Sequence, residues 1–309
     1  MRFLATYLMR GRIQAIGTVT TLGLLSLIIS PLVILTCAGV ALVTLVQGYR
    51  EGLLNLVAST IILMVFTGIV LNQPEIGLEL AIKFLLPAWF LGSIVLRKSS
   101  LTYAIVVAGM TGCLMILGLY LFTDPAAFWH DLILNQLLPM LKQAGMQIQD
   151  GPKADALWLF MSKIMTGSAV AVFLLVQIVS LLQARWWQAL LYNPQGYKQE
   201  FHQLRYGVIV ASGAVVISIF AIATKNEIAL NLLLVVISFM LFQGLAVVHS
   251  LVAKCKLGTA WLVGVYIIML FTLQNGAIGV LVVATIGLSD NWVNFRLRLC
   301  ANKAPNGLS

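Results

Sequence analysis

Apolar residues fill most of the chain in long runs, at 14–46, 53–71, 77–96, 101–122, 157–182, 206–223, 228–251 and 258–289, with the polar residues gathered between them. A run that is apolar on every face has no stripe to turn toward a soluble core, and about 20 such residues cross a bilayer as a helix. The pattern predicts an all-α fold, a polytopic transmembrane helical bundle. Its first and last runs are too long for one helix, and each carries a break. In the first, Ser30-Pro31 interrupts the run, because proline lacks an N–H and disfavours helix in the residue before it. In the last, Gln274-Asn275-Gly276 plays the same part. Each is expected to fold as two short helices joined by a tight outer turn; a re-entrant hairpin is the alternative for either pair.

Positive charge orients the bundle, since short cytoplasmic loops collect Lys and Arg. With both long runs crossing twice and the N-terminus inside, the cytoplasmic segments hold Arg2, Arg10, Arg12, Arg50, Arg97, Lys98, Arg185, Lys198, Arg205, Lys254, Lys256, Arg296, Arg298 and Lys303. Only Lys142, Lys153 and Lys225 remain outside. A single crossing at 14–46 would instead turn Arg97, Lys98 and Arg185 outward. The expectation is about 10 crossings with both termini cytoplasmic, in one integral membrane domain over 1–309. Residues 123–156 form the largest outer segment, with Trp129, Ile133, Leu137, Met140 and Leu141 at helical spacing, as in an amphipathic interfacial helix. Residues 184–205 form the main cytoplasmic loop, opened by the aromatic pair Trp186 and Trp187.

Composition agrees: 61% of the residues are hydrophobic and 9% charged, against about 25% charged in an average soluble domain. The net charge of +9 would suggest nucleic acid in a soluble protein. Here it is spread over loops, with no basic face or aromatic platform, and no nucleic-acid partner is expected. Cys37, Cys113, Cys255 and Cys300 are far apart, so neither a disulfide framework nor a metal site is expected. No metalloprotease helix, phosphate loop, nucleophile elbow or cysteine–histidine pair occurs, so neither enzyme activity nor a cofactor is expected. The N-terminus has no small-residue cleavage site and reads as a retained first helix.

Within the apolar runs, ionisable residues are functional-site hypotheses by default. Glu79 and Lys83 are four apart on one helix face, and Pro87 cannot donate to the Lys83 carbonyl. Lys163, Asn231 and Asn275 also fall in outer halves of their helices. These five residues are candidates for lining one outward-facing polar cavity, with Lys83 its most sensitive member. The alternative is that the lysines snorkel to the interface and pair locally. In the inner half, Gln243 and His249 point about 120° apart and cannot share a small pocket with Lys83. Gln243 suits an interhelical hydrogen bond beside the close-packing Gly244, and His249 either the same or a titrating role. Ala104, Ala108 and Gly112, like Gly167 and Ala171, form small-residue stripes that let backbones approach.

At the cytoplasmic ends, Arg185, Trp186, Trp187, Asn193, Pro194, Asp290 and Arg296 are candidates for partner docking or structure. Asp290 and Arg296 are expected to pair, which requires an irregular helix end around Asn291 to Asn294; the alternative is that each binds a loop, such as the one holding Arg185 or Asn193. The stretches "ARWWQALLYNPQGYKQEFHQLR", "FQGLAVVHSLVAK" and "GLSDNWVNFRLRL", with the opening "GLLSLIISPLVILTCAGVALVTLVQG", resemble the YybS-like bacterial membrane proteins. That family is distantly similar to the substrate-binding S-components of energy-coupling-factor transporters. The resemblance implies a bacterial inner-membrane protein that holds a small molecule in an outward-facing cavity and docks on separate energising partners. The alternative is a non-transporting scaffold that organises membrane partners through its cytoplasmic face.

Overall fold

The computed structural model describes residues 2–146, 151–194 and 196–298; Cys300, Lys303 and part of the outer segment, 147–150, lie outside the described residues. It is 88% helical, with no strand among the described residues. In chain order the helices are α1 (Arg2–Leu8), α2 (Arg12–Ser26), α3 (Val33–Gln47), α4 (Tyr49–Leu71), α5 (Pro74–Leu80), α6 (Leu86–Lys98), α7 (Leu101–Phe122), α8 (Pro125–Leu132) and α9 (Leu138–Gln143). Then follow α10 (Pro152–Tyr192), α11 (Gly196–His202), α12 (Val208–Thr224), α13 (Glu227–Lys254), α14 (Ala260–Thr272), α15 (Ile278–Val293) and α16 (Phe295–Arg298). Among the described residues six stretches are long and apolar enough to cross a membrane: Ser30–Gln47, Tyr49–Leu71, Pro74–Lys98, Leu101–Phe122, Pro152–Tyr192 and Glu227–Lys254. The apolar helices Val208–Thr224 and Ile278–Val293 and the apolar stretch Ala260–Asn275 are shorter.

The breaks expected in the two long runs are present. A 3₁₀ turn at Ser30–Leu32 separates α2 from α3, and another at Leu273–Asn275 ends α14 before Gly276 turns the chain with φ +72°. Elsewhere the helix ends follow local chemistry. Pro74 and Pro125 begin helices, where a missing N–H costs nothing. Asn226 caps α13 by accepting from the N–H groups of Ile228 and Ala229.

Two helices are interrupted by single π turns, at Ala81–Leu85 and Ile133–Leu137. Each turn closes two residues before a proline, Pro87 and Pro139. The amphipathic helix expected within 123–156 is therefore two short helices about a π turn, with Ile133 buried and Met140 exposed.

Contacts divide the chain into two compact units, 1–108 with 175–205, and 109–174 with 206–309. In the first unit α3 packs against α2, α4 and α6, and α5 folds back on α4. Gly77 lets α5 approach closely: a Cβ there would lie 2.6 Å from the Met64 nitrogen. In the second unit α13 packs against α15 and α12. Gly244 of α13 and Gly287 of α15 meet backbone to backbone, and a side chain on either would overlap the other helix.

Polarity in each unit is inverted relative to a soluble protein. Asn55, Gln177, Asn231, Gln243, Asp290 and Asn291 are buried, while Ile69, Phe122, Ile209 and Phe271 are exposed. An apolar exterior around buried polar side chains is stable in lipid and aggregates in water. These are the helices and faces of a membrane protein.

Candidate functional site

Polar side chains converge on one turn of α10, from Lys163 to Gly167. Asn231 of α13, fully buried, donates from Nδ2 to the Lys163 carbonyl at 2.7 Å, while its Oδ1 accepts from the Gly167 N–H. Lys163 and Gly167 are also i, i+4 partners of the unbroken helix α10, so the asparagine amide spans one turn of that helix from the side. The same Nδ2 lies 3.0 Å from the Tyr120 hydroxyl and 2.7 Å from the Glu227 carbonyl. Lys163 Nζ pairs with the Glu227 carboxylate at 3.0 Å, and both side chains are partly exposed. One residue before Gly167, the Thr166 hydroxyl accepts from Trp129 Nε1 at 2.8 Å.

Lys163 and Asn231, two of the five residues expected to line one cavity, meet here. Glu227, Tyr120 and Thr166 join them, with Gly167, expected to let backbones approach, and Trp129, expected on the outer amphipathic segment. Glu227, one turn before Asn231 at a helix start, is the one newcomer the sequence could have marked; Tyr120 and Thr166 are common membrane residues until the helices are placed.

Glu79 and Lys83 form the expected pair, at 2.5 Å, with side chains 59% and 61% exposed. That surface position supports local pairing. The carbonyl expected to be freed by Pro87 is that of Lys83; the side-chain donors instead reach the Phe84 carbonyl, which receives Gln177 Nε2 at 3.2 Å and Cys37 Sγ at 3.4 Å. The π turn shifts the ladder register, so the carbonyl offered to neighbouring helices moves as well. Asn275 stands exposed in the turn after α14.

Gln243 is a cross-helix tie. Its Oε1 accepts from the Tyr206 N–H at 3.0 Å and its Nε2 donates to the Gly287 carbonyl at 2.7 Å, beside the Gly244–Gly287 contact. His249 Nε2 lies 3.0 Å from the Tyr266 hydroxyl.

The residues expected at the cytoplasmic ends are largely engaged within their own units. Arg185 pairs with Glu200, whose carboxylate also accepts from the Leu101 N–H. Trp187 is fully buried, Trp186 is partly so, and Asn193 and Pro194 are exposed. Asp290 and Arg296 pair at 3.2 Å across a left-handed Asn294, as the spacing required. Comparison with protein-family models, curated proteins and solved structures finds no match.

Cys37, buried, and Cys113, half-buried, are free thiols. Near the chain start, Arg12 bonds Glu51 through Nε at 2.8 Å and Nη2 at 2.6 Å.

Proposed function

We propose that this chain is a multi-pass protein of the bacterial inner membrane, similar to the YybS-like proteins, that binds a small polar solute in an outward-facing cavity. The observation that supports this reading is the cluster on α10. A partly exposed Lys163–Glu227 pair sits on a turn whose backbone bonding is shared with Asn231. Charged groups gathered with a buried amide on one turn of an apolar helix are costly in lipid and mark a functional site by default. A packed scaffold has no use for an accessible charge pair at that point. The exposed Lys83–Glu79 pair is the weaker candidate, with the properties of a snorkelling lysine.

The topology belongs to the same proposal. Six long helices together with α2, α12, α14 and α15 give about 10 crossings with both termini cytoplasmic, in keeping with the distribution of Lys and Arg. Reporter fusions after Arg50, Arg97 and Ser309 should all read inside. An outside reading at Arg50 would mean that α2 and α3 cross only once between them.

Binding is tested by mass spectrometry of small molecules retained on the purified protein. Lys163→Met should abolish retention while changing stability by less than about 1 kcal/mol, since a partly exposed ion pair contributes little. Lys83→Met should leave both unchanged. Wild-type retention by a stable Lys163→Met protein would move the site elsewhere.

The runner-up, a scaffold that docks partners on its cytoplasmic face, draws on the exposed Asn193-Pro194 corner. It forecasts no retained solute and a co-purifying membrane partner lost on substitution of that corner.

A further inference from the structure

An open groove of about 480 Å³ lies wholly within the first unit, between α1 and α2. α1 rests on the bundle through Ala5 and Leu8, both fully buried, with Leu8 packed where Gly39 of α3 has no side chain. Leu4 and Tyr7 of α1 form one wall, and Gln14, Gly17 and Thr21 of α2 stand opposite. Those three share one helix face by their spacing. A Cβ on Gly17 would meet nothing within 4 Å, so the groove is open beside it.

The groove is charged at one end and apolar at the other. At the turn between the two helices, the Arg10 guanidinium lies 5.8 Å from the centre of the Tyr7 ring. The Gln14 side-chain oxygen folds back to the same turn, 2.8 Å from where a Cβ on Gly11 would stand. Arg10 has no acidic partner among the described residues, because no Asp or Glu precedes Glu51 and Arg12 already holds that carboxylate. Leu22 closes the far end. Phe3, stacked on Tyr7, and Ile13 are largely exposed beside the opening. An opening edged by exposed apolar side chains is reached from lipid.

These features narrow the occupant. The volume falls within the roughly 300–1,000 Å³ of small-molecule pockets. An unpaired cation calls for an anion, and the apolar far end calls for a chain attached to it. A free inorganic anion leaves Leu4 and Leu22 uncovered, and a zwitterionic lipid brings its own cation to compete with Arg10. Basic sites between membrane helices take anionic head groups. We propose that the groove binds an anionic phospholipid, its phosphate on the Arg10 guanidinium and the Gln14 amide, with one acyl chain along the Gly17–Thr21 face toward Leu22. The Tyr7 ring steadies the guanidinium at the groove's edge. This inference rests on first-unit residues alone and is independent of the Lys163 cluster.

The test equilibrates the purified full chain in mild detergent with equal parts of phosphatidylglycerol and phosphatidylcholine, removes loose lipid, and quantifies what is retained by mass spectrometry. The wild type should retain phosphatidylglycerol in preference. Arg10→Gln should lower that preference about fivefold, the factor that one basic residue contributes at an anionic surface. Gly17→Leu keeps every charge and fills the groove without a backbone clash, and it should lower the amount retained at least as far. Thr21→Leu is the second filler, for use where Gly17→Leu fails to fold. Arg97→Gln is the matched control, since that guanidinium also lies over a tyrosine, Tyr49, at 5.4 Å but forms no part of the groove. It should leave retention unchanged. Equal retention of the two lipids by the wild type would overturn the proposal. So would wild-type retention by a folded groove-filling variant, or a loss in Arg97→Gln equal to that in Arg10→Gln, because lipid would then be gathering on surface charge and not in the groove.

Discussion

Asn231→Leu is expected to destabilise the protein by about 3 kcal/mol, and most of that loss comes from packing. Interhelical hydrogen bonds in membranes average only about 0.6 kcal/mol, so losing the amide is not by itself severe. Asn231→Ala should therefore be mild, about 1 kcal/mol or less, because Lys163 and Gly167 remain partners within α10 once the amide is gone. Leucine fills the space instead. The backbones are already in contact here: a Cβ on Gly167 would lie 2.6 Å from the Asn231 Cα. An apolar branch driven between α13 and α10 adds an overpacking cost of about 1–3 kcal/mol, and the lost amide bonds add about 1 kcal/mol. Asn231→Asp separates the two terms. It keeps the volume and the acceptor for Gly167 but turns a second oxygen toward the carbonyls of Lys163 and Glu227. The expected order of thermal midpoints in detergent is wild type, Ala, Asp, Leu. If the leucine variant melts with the wild type, the buried amide does not tie α13 to α10.

Much of this architecture could be read from local chemistry, because in lipid an interruption of an apolar run has few causes. Pro31 and the Gln274–Gly276 stretch break their helices for reasons internal to those residues: a missing N–H in one, a left-handed glycine in the other. The glutamine beside Gly244 announced a cross-helix bond in the same way, since an amide in an apolar helix must find a partner.

The Asn231 junction could not be read so. Gly167 and Asn231 are 64 residues apart, and nothing near either names the other. The π turns escaped for a different reason. Pro87 removes one donor, which the sequence makes plain, but the helix answered by shifting its register, so that the Phe84 carbonyl became the acceptor for Gln177. That choice belongs to the packing of α3 and α10 around the turn. Arg185 teaches a third lesson. On the sequence it is a free cytoplasmic charge suited to docking, yet Glu200 holds it. Long side chains in a charged loop can fold back on their own unit, and only placed coordinates distinguish that from a surface offered to a partner.

Asp290→Ala should cost about 3–5 kcal/mol, the penalty for leaving one member of a buried ion pair without the other. Asp290 is 0% exposed and Arg296 10%, so neither charge has water to fall back on. The carboxylate also holds the chain's change of direction: its Oδ1 accepts from the Phe295 N–H at 3.0 Å, one residue after the left-handed Asn294. Alanine removes both contacts. Asp290→Asn keeps an acceptor for Phe295 and loses only the charge, so it should fall between alanine and wild type. The double change Asp290→Leu with Arg296→Met removes both charges together, and it should cost less than Asp290→Ala alone despite altering twice as many residues. A buried pair can be worth little net while being expensive to break from one side, and that inversion is its signature. The pair's role as a buried constraint fails if Asp290→Ala leaves the thermal midpoint in detergent unchanged. It fails equally if the double variant is the sum of the two single ones.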